Sequence, residues 1–201
     1  MIVKSPIILK KLFPSLTWEI ETKKKEIFLS FDDGPHPEIT PWVLDCLNKY
    51  NAKATFFCVG ENVCNYPETF KNIINNGHSV GNHSYNHLNG WKTKNSQYYN
   101  NIEEAGKFID SSLFRPPYGR ITPSQINKLK NSYSIIMWSV LTYDFDKDIS
   151  NEQCFRNSII STKPGSIVVF HDSKKSFDNL KYALPKFLDH FKNLDYSINS
   201  L

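Results

Sequence analysis

Asp32 and Asp33 are two adjacent carboxylates at the end of an apolar run over residues 26–29, and a turn at Gly34-Pro35 follows them. Side chains alternate along a strand, so the two carboxylates face different surroundings. An ionised carboxylate near the interior requires a cation, a metal ion or several hydrogen-bond donors. The pair therefore predicts either a charged site at the end of a strand or an ordinary surface turn, since Asp and Gly are common turn residues.

His83 and His87 form a second group with chemical potential. Their i, i+4 spacing predicts that both imidazoles lie on one face of a helical turn, where they can hold one ion, and two surface histidines are the alternative. One added carboxylate makes a His2Asp set with open coordination positions, which suits catalytic zinc or another divalent metal. Iron oxygenases use the same set, so the residue types alone leave the metal open.

Arg115, Asp144 and His171 each follow a further strand-like run. Two prolines after Arg115 fix the direction of the backbone, so its guanidinium can hold the carboxylate that does not bind the metal, or form a structural salt bridge. His171 follows an apolar run over residues 168–170. Near a metal it could protonate a leaving amine, and its alternative role is a hydrogen bond to backbone.

The elements that must position these side chains alternate between strand-like and helix-like patterns. Strands are predicted at about residues 26–29, 54–60, 78–81, 113–115, 134–140, 166–170 and 196–198, and helices at about 40–50, 67–76, 97–109, 122–129, 150–160 and 182–192. This alternation argues for a parallel β/α architecture. Six or seven units in 201 residues favour a small, irregular barrel over an open sheet. Each candidate residue follows a strand, where β/α barrels build active sites.

Composition excludes several classes of protein. Hydrophobic residues make up 40% of the chain and charged residues 22%, and the lysines behind the net charge of +4 are scattered, which argues against a nucleic-acid partner. Four cysteines without CxxC spacing indicate neither a zinc ribbon nor a disulfide framework. No apolar run is long enough for a signal-peptide core or a membrane span. We therefore expect a single domain over residues 1–201, with its core at about 26–198, that is monomeric and by default cytoplasmic.

Five motifs, in this order, resemble those of the polysaccharide deacetylase family, whose catalytic unit is the NodB-homology or chitooligosaccharide deacetylase domain. They are Ser-Phe-Asp-Asp-Gly-Pro at residues 30–35, the pair His83 and His87, Arg115-Pro116-Pro117-Tyr118, Trp138 with Asp144, and Val-Phe-His-Asp at residues 169–172. The resemblance spans about residues 26–198, nearly the whole chain.

The resemblance implies a distorted (β/α)7-type barrel that hydrolyses N-acetyl groups of peptidoglycan- or chitooligosaccharide-type glycans and releases acetate. It implies a divalent metal, zinc first and cobalt or another ion as alternatives, held by Asp33, His83 and His87. Asp32 would be the general base and His171 the general acid. Arg115 would orient Asp32, and Asp144 would orient His171. The backbone N–H of Tyr118 would donate a hydrogen bond to the oxyanion. The resemblance also implies substrate contacts: Phe145 and Val169 would line the pocket for the acetyl methyl group, and Pro117 and Trp138 would contact the substrate.

Two positions depart from the family pattern. Leu141 stands where the family often has Asp, and Phe145 where it often has Trp. Phe145 still supplies an apolar wall, whereas Leu141 removes a polar contact near the cleft and bears on substrate choice. Two alternatives remain: an O-acetyl esterase or amidase on the same fold, and a catalytically silent glycan-binding domain.

Overall fold

The computed structural model describes residues 3–201. Within that range eight strands are β1 Glu26–Asp32, β2 Thr55–Cys58, β3 Ser79–Asn82, β4 Leu113–Phe114, β5 Ser134–Ile135, β6 Val140–Leu141, β7 Ile167–His171 and β8 Ser197–Asn199. The helices are α1 Ile7–Leu12, α2 Ile39–Lys49, α3 Gly60–Asn65, α4 Pro67–Asn75, α5 Asn95–Gly106, α6 Pro123–Leu129, α7 Asn151–Ile160 and α8 Phe177–Asn193. A 3-10 turn covers Pro117–Gly119.

The strands form one parallel sheet in the order β5-β4-β3-β2-β1-β7-β6, and β8 pairs with the first half of β1. β5 and β6 lie at opposite ends of this order, yet only residues 136–139 separate them along the chain. The sheet therefore curls into a barrel that no ladder closes within the part of the chain that the structure describes. The predicted fold class, an α/β distorted barrel, is confirmed.

The prediction of one strand over residues 134–140 is wrong, because the structure has two short strands there. The residues between them pair elsewhere. Ile136 bridges Thr17, the Ser139 N–H donates to the Ile167 carbonyl at 3.0 Å, and the Ile136 carbonyl accepts from the Arg115 side chain at 3.3 Å. An apolar run of strand length can thus contain residues that pair with different segments of the chain.

Several helix predictions also need correction. Thr40 was predicted as the N-cap of α2, but the helix begins one residue earlier, at Ile39. The Thr40 hydroxyl accepts a hydrogen bond from the His36 N–H in the preceding loop. α8 begins at Phe177, five residues earlier than predicted, and Pro185 lies inside it. α1 and α3 were not predicted. Thr122, predicted as an N-cap, forms a reciprocal capping box with Gln125. At Ser150, where a capping box with Gln153 was predicted, the Ser150 hydroxyl accepts from the Gln153 N–H but the reciprocal contact is not formed.

β1 is a largely buried strand in the interior of the sheet order, and it fixes the position of the carboxylate pair. Ile27, Leu29 and Phe31 are fully buried in the main apolar cluster, where the Phe31 ring stacks on Phe56 with centroids 5.0 Å apart. Burying side chains of this size stabilises the fold by about 1.5–3 kcal/mol each. Asp32 alternates to the barrel interior. No helix within residues 3–201 has the length and apolar character needed to cross a membrane.

Candidate active site

A cleft of about 710 Å³ opens at the carboxyl ends of the strands. Its walls include Asp32, Asp33, His83, His87, Tyr118, Trp138, Leu141, Phe145 and His171. The carboxyl ends of parallel strands are where β/α barrels carry their active sites, and the volume lies within the range of small-molecule sites. The structure therefore brings together most of the residues that the sequence singled out.

Asp33, His83 and His87 converge on one point of this cleft. Their candidate ligand atoms lie within 4.8 Å of one another. Asp33 Oδ1 is 3.2 Å from His87 Nε2 and 3.7 Å from His83 Nε2. The prediction of a helical turn over residues 83–87 is wrong: the segment is a loop, and His87 joins the cluster through a left-handed backbone conformation with φ of 55°.

The protonation states of this cluster suit a divalent cation. His83 Nδ1 lies 2.7 Å from the Arg115 carbonyl and donates to it, which leaves the lone pair of Nε2 facing Asp33. Burial lowers the pKa of His83 to about 4, so the ring is neutral at pH 7. Burial opposes ionisation of Asp33, but the hydrogen bond from His87 and the charges of the nearby histidines hold its pKa below the ordinary value. Two imidazole nitrogens and a carboxylate oxygen are the types of donor that zinc binds.

The buried guanidinium of Arg115 holds the Asp32 carboxylate. Arg115 is fully buried, and its Nη1 donates to Asp32 Oδ1 at 2.7 Å and to Ser30 Oγ at 2.8 Å. Its Nη2 donates to the Met137 carbonyl at 3.1 Å, and the guanidinium lies 4.0 Å from the centroid of the Phe57 ring. This pair fixes one carboxylate oxygen of Asp32, while the side chain still reaches the cleft.

His171, at the end of β7, and Asp144, in the loop after the neighbouring strand β6, form a second charged pair. His171 Nδ1 donates to Asp144 Oδ1 at 2.7 Å, and the His171 backbone N–H donates to Asp144 Oδ2 at 2.7 Å. Burial disfavours the imidazolium, but the charges of Asp144, Asp33 and Asp32 together raise the pKa of His171 to about 9. His171 is therefore protonated at neutral pH, and its remaining N–H is available to the cleft.

The predicted substrate contacts divide into two groups. Trp138 and Phe145 line the cleft, and the Phe145 ring meets His171 edge-on with centroids 4.9 Å apart. Pro117 and Val169 are buried and do not line it. Val169 shares the face of β7 with His171 but lies one layer deeper, because alternate residues of a strand point the same way.

Tyr118, for which the sequence predicts a role of the backbone N–H, lies in a left-handed turn with φ of 60°. Its ring is 61% exposed and packs against His87 with centroids 4.5 Å apart. Sequence reasoning missed other cleft residues, which are Asn89, Trp91, Lys92, Arg120 and Lys175. The signal that could have found Trp91 is a tryptophan in a loop directly after a predicted metal ligand.

Asp172 is a buried carboxyl group to which the sequence analysis gave no role. The Thr40 hydroxyl donates to its Oδ2, and that hydroxyl oxygen accepts from the His36 N–H at 2.8 Å. Burial raises the pKa of Asp172 to about 7. The carboxyl group also packs on Gly34, where an added Cβ would lie 2.1 Å from Asp172 Oδ2. Asp172 thus supports the turn that follows Asp33.

Substitution of Gly34 by Ala is expected to lower the free energy of unfolding by about 1–3 kcal/mol, the usual cost of overpacking. The added methyl group would collide with Asp172 and displace the turn beside Asp33. The measurement is urea unfolding. Gly106→Ala is the control, since its Cβ would meet only the Tyr133 hydroxyl at 3.4 Å. Equal effects of the two substitutions would contradict the tight packing inferred at Gly34.

Comparison with known proteins decides the family. A polysaccharide deacetylase family model matches residues 19–133. A peptidoglycan-N-acetylglucosamine deacetylase of Bacillus cereus is 34% identical over an alignment of 201 residues. The alignment covers 94% of this chain and 93% of the relative. The chain belongs to the polysaccharide deacetylase family. The predicted family and enzyme class, a polysaccharide deacetylase, are thereby confirmed.

One more curated relative and one solved structure agree with that assignment. Another Bacillus cereus protein named peptidoglycan-N-acetylglucosamine deacetylase is 38% identical over 175 residues; the match covers 81% of this chain and 63% of that relative, whose own length is thus matched only in part. The crystal structure of the Bc1960 peptidoglycan N-acetylglucosamine deacetylase superimposes with a TM-score of 0.86 at 32% identity and covers 98% of this chain and 95% of its own.

Proposed function

We propose that this protein is a divalent-metal-dependent hydrolase that removes N-acetyl groups from glucosamine-type residues of a glycan and releases acetate. The observation that carries the proposal is the convergence of Asp33, His83 and His87 with Asp32 and a protonated His171 around one cleft. The relatives named peptidoglycan-N-acetylglucosamine deacetylases support peptidoglycan as the first substrate to test, with chitooligosaccharides as the second.

Asp33, His83 and His87 would hold the metal, with zinc as the first expectation from two imidazoles and one carboxylate. A bound divalent ion supplies Lewis-acid activation of the acetyl carbonyl and of a water molecule. All three ligands come from one chain, which supports our expectation of a monomer as the acting unit.

Asp32 is proposed to take the proton of the attacking water as general base. Arg115 holds the Asp32 carboxylate in a fixed orientation, because it donates to Oδ1 from a fully buried position. The backbone N–H of Tyr118 is proposed to donate to the oxyanion that develops on the acetyl oxygen. A donor aimed at this charge typically contributes about 10²–10³-fold in rate.

His171 is proposed to protonate the leaving sugar amine. Asp144 accepts from Nδ1, so the proton that faces the cleft is the one on Nε2. The edge of Phe145 against the His171 ring limits its rotation, and together with Leu141 it gives the cleft an apolar wall beside the acid. Proton transfer to the amine produces a free glucosamine-type residue.

The same residues could also cleave an O-acetyl ester or a small cyclic amide. A product assay separates these reactions, since N-deacetylation yields a free amine and ester hydrolysis a free hydroxyl. A silent glycan-binding domain would bind N-acetylated glycans without releasing acetate. Metal-dependent acetate release from a panel of N-acetylated and O-acetylated glycans distinguishes all three.

We expect chelation to abolish acetate release and added zinc or cobalt to restore it. A His87→Ala variant should bind the metal much more weakly, because it loses a ligand, whereas His190→Gln on α8 should bind it normally. Metal content after dialysis is the measurement, and in a metal-bound crystal the ligand distances should be roughly 2.0–2.2 Å for zinc. Full activity of the chelated protein, or histidines that point away from Asp33, would defeat the proposal.

A further inference from the structure

A second cavity of about 370 Å³ lies beside the catalytic cleft, beneath residues 5–17, which we call the N-terminal arch. The arch is fixed at both ends. The Ser5 N–H donates to the Ser139 carbonyl at 3.0 Å, and the Met137 N–H donates to the Thr17 carbonyl at 2.7 Å. α1 lies between these anchors, and the arch precedes residues 19–133 that match the family model.

Most of the lining of this cavity is apolar, and its polar members are Ser5, Tyr118, Arg120 and Tyr143. Its lining includes Leu9, Phe13 and Leu16 from the arch and Ile121, Ile126 and Met137 from the barrel. The hydroxyl of Ser5, which also lines it, is already used by the Trp138 carbonyl. The cavity therefore offers a bound ligand a large apolar surface with few polar partners.

The cavity and the catalytic cleft adjoin each other. Tyr118, Trp138 and Leu141 line both spaces, as do Trp91 and Arg120. The junction has fixed walls: the Trp91 indole N–H donates to the Ile121 carbonyl at 3.0 Å, and the Arg120 guanidinium lies 4.1 Å from the Trp91 ring centroid. A ligand whose acetamido group occupies the cleft can thus extend past Trp138 into the cavity.

We propose that this cavity receives the alkyl chain of an amphiphilic N-acetylated sugar, so that the substrate class includes N-acetyl sugars joined to a lipid-like group. The proposal rests on the deacetylase function proposed above. Another sugar ring is a less favourable occupant, because most of the lining offers its hydroxyls no hydrogen-bond partner, whereas an alkyl chain has no polar group to satisfy. Burial of apolar surface alone then favours binding.

The exposed face of α1 is also consistent with a substrate that carries a lipid-like group. Ile7, Ile8 and Leu12 are each about two-thirds exposed (64%, 66% and 64%), and Lys4 and Lys11 are exposed beside them. Contiguous exposed apolar side chains next to lysines are typical of surfaces that rest on anionic lipid. The arch therefore has apolar side chains both in the cavity and on its outer surface. The outer side chains could contact a lipid surface while the cavity holds the alkyl chain of an amphiphile taken from it.

The first test compares octyl with methyl N-acetyl-β-D-glucosaminide as substrates, both below the micelle concentration of the octyl compound. We expect kcat/KM to be at least about tenfold higher for the octyl compound, since each buried methylene is worth roughly fourfold. Leu9→Gln should reduce this octyl-to-methyl ratio by roughly threefold or more. Leu12→Gln is the matched control on the same helix, and it should keep the ratio, because Leu12 does not line the cavity.

A binding experiment keeps this test separate from catalysis. Octyl β-D-glucoside, which has no acetyl group, should quench the tryptophan fluorescence of the protein saturably, since Trp18, Trp91 and Trp138 line the cavity. Methyl β-D-glucoside should bind at least about tenfold more weakly. Absence of saturable octyl binding, or equal weakening in the folded Leu9→Gln and Leu12→Gln variants, would overturn the proposal. Octyl binding without acetate release would leave this inference standing and count against the deacetylase function alone.

Discussion

Replacement of Asp32 by Asn is expected to reduce acetate release by roughly 10²–10⁴-fold, the usual cost of losing a general base, while the protein retains its divalent metal. The three proposed metal ligands, Asp33, His83 and His87, do not include Asp32. The amide oxygen of an asparagine can still accept from Arg115, so the variant should fold. kcat/KM for acetate release and metal content measured on the same preparation test both parts of this prediction.

The adjacent carboxylate supplies the control. Asp33→Asn should weaken metal binding, because Asp33 Oδ1 is the oxygen that faces both histidines at 3.2 and 3.7 Å. Two substitutions of the same type, one residue apart, should thus give opposite metal contents. If Asp32→Asn loses the metal while Asp33→Asn retains it, the two roles are reversed. Thermal unfolding of both variants checks that neither result reflects loss of the fold.

The alternation of strands and helices made the barrel predictable, because buried parallel strands are apolar runs of a limited length. The run over residues 134–140 shows where this reasoning fails. Hydrophobic pattern reports burial, and it does not report which segment a residue pairs with. Ile136 is buried, but its bridge partner is Thr17, more than a hundred residues earlier in the chain.

The candidate site was predictable to a larger extent, because each catalytic candidate lies at or shortly after the carboxyl end of a strand and the parallel strands bring those ends to one end of the barrel. The spacing of His83 and His87 favoured a helical turn, but positive φ values at Ser84 and His87 place the pair in a loop instead. Apart from glycine and asparagine, the type of a residue rarely indicates such a left-handed conformation. The role of Asp172 was also hidden, since only the folded chain brings it over Gly34.

The N-terminal arch was the part of the site least accessible to sequence reasoning. α1 has only six residues, and its exposed isoleucines and leucine do not show a helical apolar stripe directed at a core. Its position depends on two backbone anchors at Ser139 and Met137, which the pattern of side chains does not encode. Those contacts place apolar residues beside the candidate active-site cleft, so the surface to which we assign a role in substrate choice depends on pairing between distant segments.

Activity is expected to depend on His171 and Asp144 as one unit. His171 must be protonated when the amine leaves, and its pKa of about 9 predicts that activity falls as the pH rises through about 9. Asp144→Asn removes the negative charge that most strongly favours the imidazolium against the opposing effect of burial. His171 would then lose its proton at lower pH. The alkaline limb of the pH–rate profile should therefore move to lower pH in Asp144→Asn, and profiles of kcat/KM measure the shift.

Removal of His171 should abolish that alkaline limb and lower kcat by roughly 10²–10⁴-fold, with little change in metal content because His171 is not one of the three ligands. The effects of His171→Ala and Asp144→Asn should be less than additive, since each disables the same proton donor. A double-mutant cycle on kcat/KM provides this comparison. Full additivity, or an alkaline limb that stays in place in Asp144→Asn, would mean that Asp144 acts on another group, despite its 2.7 Å contact with His171 Nδ1.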